Sequence, residues 1–262
     1  MTIDRSRRVL FDQVAELYDE VRPRYPDALI EDVLALSDLP ADGRILEVGP
    51  GPGNATLPFA RRGYRMLCIE LGPRLAALAA AHCRPYPNVQ VRQGAFEAWE
   101  LEEGAFDLVL SAEAFHWIPP QISYPKAARA LKDTGALALF WTVMLDPGTA
   151  LSRALGAVYR EVAPSLENPL YSPTAEWLIG QITGNFRACG CFGPVTVRQY
   201  DMCQTYDTAR YLKLIRTFSS HRALDPETRA VLLARTGAAV ERHGGQVVQP
   251  YRVVLFHARV RR

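Results

Sequence analysis

The amino-acid sequence predicts a doubly wound α/β fold, and three observations carry that expectation. Between residues 44 and 142, short apolar runs alternate with amphipathic runs of helical period. Several of the apolar runs, GALALFWT (135–142) above all, lack the alternation of a half-solvated strand. They read as strands of a parallel sheet covered on both faces. The first of them, RILEV, runs straight into GPGPGNAT, where Gly49, Gly51 and Gly53 recur at every second position. A glycine-rich turn between a first strand and its helix marks the ligand edge of such a sheet.

Ahead of the sheet, FDQVAELYDEVRPRYP places Phe11, Val14, Ala15, Tyr18 and Val21 at helical spacing, and Pro23 and Pro26 end that helix. DALIEDVLALSDLP is a second amphipathic helix, starting near Asp27 and stopping before Pro40. RILEVG is then a strand and NATLPFARRG its helix, closed by Gly63. YRMLCIE is a strand followed by the alanine-rich helix PRLAALAAAHC. NVQVRQG and FDLVLSA are strands, QISYPKAARALKD a helix and GALALFWT a strand. After residue 142 the rhythm changes. GTALSRALGAVYREVA, SPTAEWLIGQITGNF, TARYLKLIRTF and PETRAVLLARTGAAVERHG read as helices. GPVTVRQYDMCQTYD and QVVQPYRVVLFHARVRR alternate like paired strands. No internal repeat or low-complexity tract interrupts this order. The expectation is a single domain over 1–262, with an N-terminal lid helix at 10–30 and helical cap segments at 143–193 and 207–245.

A chain of 262 residues that is 48% hydrophobic can bury a substantial core. Its formal charge of +2 lacks the basic footprint of a dedicated nucleic-acid binder. The longest apolar stretch, GALALFWTVML, is about half of the ~20 residues that a membrane span requires, and the N-terminus has no apolar core of signal-peptide length. The expected location is therefore the cytoplasm, with neither membrane nor nucleic acid as partner. Five cysteines without regular spacing make no disulfide framework. Cys189 and Cys191 form a C-x-C pair that nothing nearby completes, so no metal site is expected. A G-x-S-x-G elbow, an H-E-x-x-H pair and a P-loop are all absent.

The spacing of the glycine loop bears on its ligand. Dinucleotide loops read G-x-G-x-x-G, which seats a pyrophosphate on the helix N-terminus. Here the spacing is G-x-G-x-G and Glu47 stands two residues before Gly49. An acid there is a poor neighbour for a pyrophosphate and suits a ligand with an ammonium or sulfonium group. The E-x-G-x-G-x-G stretch is similar to motif I of class I S-adenosylmethionine-dependent methyltransferases. Glu70 ends the second strand 17 residues past Gly53, where that family grips the ribose hydroxyls. GAFE (94–97) follows the third strand, and FDLVLSAEAFHW (106–117) resembles the family's fourth strand and its loop. Y-x-x-x-R-P-x-Y-P, Tyr18 to Pro26, recurs in members that act on small molecules. The resemblance covers roughly residues 10–142. One departure is Ala95, where the family often has an acid against the adenine. Backbone groups, with Phe96 as a stacking face, would take over that contact.

The resemblance implies a Rossmann-like, seven-stranded, mostly parallel sheet with helices on both faces and a helical cap. It implies S-adenosylmethionine as methyl donor, S-adenosylhomocysteine as product and a small-molecule acceptor. The cofactor candidates are Glu47, Gly49, Gly51, Gly53, Glu70, Leu71, Ala95 and Phe96, with Tyr18 and Arg22 from the lid. For Glu47, direct contact and a role in orienting the loop both stay open. Tyr25, Trp117 and Trp141 are the acceptor candidates, Trp141 being equally suited to the core. The lid also carries Trp177, Arg216 and His221, which fit an anionic or aromatic substrate and equally an ordinary lid core. His116 is the candidate catalytic residue, either as a general base or as a wall of the pocket. The wall is favoured, because H-W recurs in the family over unlike substrates. NPLY (168–171) resembles the N-P-P-Y of amino-group methyltransferases and reads as a chance match. Two further classes stay in play: a nicotinamide-dependent oxidoreductase, which the glycine spacing disfavours, and a non-catalytic binder of the same cofactor.

Overall fold

A computed structural model describes residues 5–166, 170–171 and 174–261. Asn168 and Pro169 of the NPLY stretch lie outside these, as do Ser172 and Pro173, the first two residues of the expected helix SPTAEWLIGQITGNF. The strands are β1 (Arg44–Val48), β2 (Arg65–Glu70), β3 (Val89–Gln93), β4 (Phe106–Ala112), β5 (Leu131–Met144), β6 (Thr196–Asp207) and β7 (Gln246–Arg259). They form one sheet in the order β3-β2-β1-β4-β5-β7-β6. β1 to β5 pair in parallel, and β7 enters antiparallel between β5 and β6.

The helices are α1 (Ala15–Val21), α2 (Asp27–Ser37), α3 (Thr56–Ala60), α4 (Pro73–Cys83), α5 (Pro120–Ala130), α6 (Ala150–Val162), α7 (Ala175–Cys189), α8 (Thr208–Arg216), α9 (Ser219–Arg222) and α10 (Pro226–Arg242). Neighbouring strand residues point to opposite faces, so the apolar runs feed two cores. Ile45, Leu108, Leu110, Phe140 and Leu255 pack with Leu29, Ile30 and Val33 of α2 and Phe59 of α3. Leu46, Val109, Leu139, Val254 and Phe256 pack with Tyr124 of α5 and Leu178, Ile182 and Phe186 of α7. A third core joins Val21 of α1 to Leu155 and Tyr159 of α6, Leu214 and Ile215 of α8 and Val240 of α10. The segment 208–245, with α8 to α10, leaves and re-enters through the paired strand ends Asp207 and Gln246.

Three expectations need correction. Leu131 to Asp133 were assigned to the helix before β5, yet they open the strand. Leu131 is fully buried and pairs with Phe106 across a register shift, so a tertiary contact overrides local helical preference. α7 falls within the expected cap range 143–193 but covers the sheet, because its apolar stripe fits the inner face of β7. α1 starts at Ala15 rather than Phe11, with a 3-10 turn over Asp12–Val14. Asp12 is otherwise engaged: its Oδ1 accepts the backbone N–H groups of Arg74 and Leu75 in the first turn of α4.

Leu110 is fully buried at the centre of the sheet, beside Glu47 of β1 and Ala138 of β5. Leu110→Ala is expected to cost about 2–5 kcal/mol of stability. Denaturant unfolding measures this, and a loss below about 1 kcal/mol would show that the position is not a packed core site.

Candidate functional site

The loops after β1, β2, β3 and β4 meet at the carboxyl edge of the sheet. Gly49 (φ 69°), Gly51 (φ 59°) and Gly53 (φ 99°) all lie in the left-handed region, where a side chain is strained. A Cβ on Gly49 would stand 2.4 Å from the Ala114 Cβ, so the β1 loop touches the β4 loop there. A Cβ on Gly51 would meet no atom within 4 Å, which leaves open space in front of the loop. The Gly51 N–H donates to Glu70 Oε2 and the Gly72 N–H to Glu70 Oε1, both at 2.9 Å. One carboxylate thus holds two loops. Glu70 is 6% exposed, and burial raises its carboxyl above the usual range, against the pull of the backbone donors.

A narrow cavity of about 110 Å³ opens over this edge. Of the residues singled out in the sequence, Gly49, Gly51, Glu70, Leu71, Ala95, Phe96, Tyr18 and Trp117 line it. Phe96 is buried and stacks on Trp99 with ring centroids 6.1 Å apart. Gly53 and Glu47 do not line the cavity. Glu47 is fully buried beneath the loop, where its Oε2 accepts the Thr56 hydroxyl at 2.7 Å. Burial pushes its carboxyl up to about 7. Its place favours the loop-orienting role over ligand contact.

The N-terminal segment lies across this edge. Arg8 pairs with Glu97, Asp12 caps α4, and Arg74 Nη2 reaches Glu16 Oε2 at 2.6 Å. Arg8 and Phe11 complete the wall.

A second cavity of about 730 Å³ adjoins the first, and Phe11, Tyr18, Glu113, Trp117 and Ile118 line both. Arg22, His116, Trp141 and Trp177 line only this one. The Arg22 guanidinium lies between the Tyr18 and Phe218 rings, 4.9 and 4.8 Å from their centroids, and its Nε donates to Thr217 Oγ1 at 2.9 Å. Tyr25 lines neither cavity; its ring meets Phe140 edge-on at 4.7 Å. Arg216 also lines neither, and His221 is buried against the Tyr159 hydroxyl at 2.7 Å.

His116 makes its defining contact with Trp141: Nδ1 and the indole Nε1 are 2.9 Å apart. An indole N–H can only donate, so Nδ1 accepts. Burial lowers the His116 pKa to about 4, helped by the Arg5 charge, so the ring is neutral at pH 7. A neutral ring whose Nδ1 accepts carries its proton on Nε2.

Glu113 was overlooked in the sequence. It has φ 61°, unusual for a residue with a side chain, and its Oε1 accepts the Thr142 N–H. Burial raises its carboxyl, partly offset by Arg22. Arg5 and Arg7 also line the second cavity. They belong to a basic N-terminal run that the sequence shows without saying where it folds. Among the described residues, no group of three or more His, Cys, Asp or Glu could hold a metal ion.

Residues 46–139 match a family model described as a methyltransferase domain. An uncharacterized methyltransferase of Mycobacterium tuberculosis is 29% identical over 154 residues, which are 59% of this chain and 60% of the relative. The chain thus spans about 60% of the length of that curated relative. A solved structure assigned as a candidate type II methyltransferase of Anaeromyxobacter dehalogenans superposes with a TM-score of 0.62 at 20% identity, over 91% of this chain and 97% of that one. Phosphoethanolamine N-methyltransferase 2 of Haemonchus contortus, solved with phosphomonomethylethanolamine and S-adenosylhomocysteine, superposes with a TM-score of 0.55 at 15% identity. That match covers 95% of this chain and 57% of the other.

The His116 ring is expected to stay neutral well below neutrality. An NMR titration of histidine ring protons, assigned by comparison with His116→Gln, should place its pKa near 4. Its folded-state pKa lies below the ordinary 6.5. As pH falls between 6.5 and 4, the unfolded chain takes up this proton first and the site draws stability down. A titration near 6.5 would show a solvated ring that is not held neutral by burial.

Proposed function

We propose that this chain, which belongs to the methyltransferase family through residues 46–139, transfers a methyl group from S-adenosylmethionine to a small-molecule acceptor. The observation that carries the reading is the buried Glu70 carboxylate, fixed by two backbone N–H groups at the lip of the glycine loop. The cavity suits such a donor. Each Glu70 oxygen keeps a lone pair for a ribose hydroxyl, and the space before Gly51 admits a ligand close to the backbone. Glu70, Glu97 and Glu113 outnumber Arg8 on its wall, in keeping with a cationic ligand. Ala95 and Phe96 offer a backbone edge and an aromatic face to an adenine, and Leu71 sits beside Glu70. The Haemonchus enzyme, whose fold this chain shares, binds S-adenosylhomocysteine.

When bound, S-adenosylmethionine supplies a sulfonium-activated methyl group that any well-placed nucleophile can take. The protein's part is then to bind, orient and exclude water, for which positioning contributes roughly 7–11 kcal/mol. Tyr18, Trp117, Phe11, Ile118 and Glu113 form the common wall of the two cavities, across which transfer would run. Trp117 and Trp141 wall the acceptor side. His116 acts as wall and hydrogen-bond donor rather than as base, since Nδ1 is taken by Trp141 and Nε2 already holds a proton. Tyr25, Glu47 and Gly53 support the site from beneath. The antiparallel β7 also departs from the all-parallel 3-2-1-4-5-6 sheet of nicotinamide enzymes, which leaves that alternative without support.

Calorimetry with S-adenosylhomocysteine tests the cofactor. Hydrogen bonds to a charged partner contribute roughly 1.5–3 kcal/mol, so Glu70→Ala should weaken binding by about 10–100-fold. Unchanged affinity in that variant, or binding of NAD(H) in place of the homocysteine compound, would overturn the reading.

A further inference from the structure

We propose that the second cavity takes a carboxylate carried on an apolar body, with Arg5 and the Nε2–H of His116 as its two donors. The inference rests on reading that cavity as the acceptor site.

The charges that face the cavity are unequal. Among the described residues, Arg5, Arg7 and Arg22 line it and Glu113 is the single carboxylate. Arg22 is committed to Thr217 and to the rings of Tyr18 and Phe218, and Arg7 has interactions of its own. Arg5 differs. Its Nε is buried with no hydrogen-bond partner, an unfavourable state that a bound acceptor would relieve. Arg5 and His116 line the same cavity.

His116 is fixed for the same task. The Trp141 indole sets the tautomer, and Nε2–H, for which no protein acceptor is found among the described residues, is presented to the cavity. A cationic donor beside a neutral donor matches the two oxygens of a monoanion. A second negative charge would meet Glu113 on the same wall. Elsewhere the lining is largely apolar and aromatic, with Trp141, Leu166, Leu178 and Ile182 among it. A volume of about 730 Å³ lies within the range of roughly 300–1,000 Å³ for sites that enclose drug-sized molecules.

The test uses calorimetry at pH 7.5 on the full chain, with biphenyl-4-carboxylate and decanoate each set against its carboxamide. S-adenosylhomocysteine is titrated separately. The carboxylates should bind at least about 10-fold more tightly than their amides. Arg5→Gln lies outside the packed cores and should remove most of that preference while leaving amide affinity within about twofold. His116→Phe should do the same, whereas His116→Gln, able to accept from Trp141 and donate to the ligand, should retain it. Equal affinity for acid and amide, or an Arg5→Gln variant that keeps the preference, would overturn the proposal. Failure of S-adenosylhomocysteine to bind, with the acid preference intact, would remove the methyl-transfer reading and leave the anion site standing.

Discussion

The edge of this sheet depends on the carboxylate of Glu70. Gly51 and Gly72 belong to loops that follow different strands, and each would present an unpaired N–H where the chain leaves the sheet. Both donate to the same side chain. The left-handed path that the three glycines allow is thereby held in place, with open space in front of Gly51. Glu47, one strand over and fully buried, secures the other end of the loop through Thr56. The burial that lifts both carboxyls is the cost of placing acids inside a core, offset at Glu70 by two backbone donors and at Glu47 only on Oε2, since its Oε1 is buried without a partner.

The second cavity comes from a different device. β6 and β7 form one long antiparallel ladder, and the chain between them departs as α8 to α10 from the end nearest α1. Tyr206 and Tyr251 share a hydrogen bond at the strand ends and carry the sheet into the cap core. Arg22 fastens the N-terminal segment to this cap through Thr217. The second cavity is therefore assembled from pieces far apart in the chain, while the glycine-loop side comes from one continuous run of strands.

That contrast explains what the sequence made legible. The glycine loop, Glu70 and the GAFE segment are local signals, and all but Gly53 of the glycines meet at one cavity. Leu131 was misread because KAARAL continues a helical pattern that only the pairing with Phe106 can interrupt. Tyr25 and Tyr18 look alike in the motif, yet one turns into the core and the other into the cavity. Arg5 and Glu113 carry no periodicity at all. A basic run at a chain start and an acid in a loop gain meaning only when folding brings them beside His116 and Arg22.

The strap formed by residues 8 to 16 is held down partly by charge. The cavity beneath it is narrow, about 110 Å³, and Arg8, Phe11 and Tyr18 form part of its wall. The Arg8–Glu97 and Arg74–Glu16 ties hold the strap in place over it. The Arg74–Glu16 pair is exposed, so dissolved salt screens it, whereas the part-buried Arg8–Glu97 pair is screened much less. Added salt therefore loosens the Arg74–Glu16 end of the strap first.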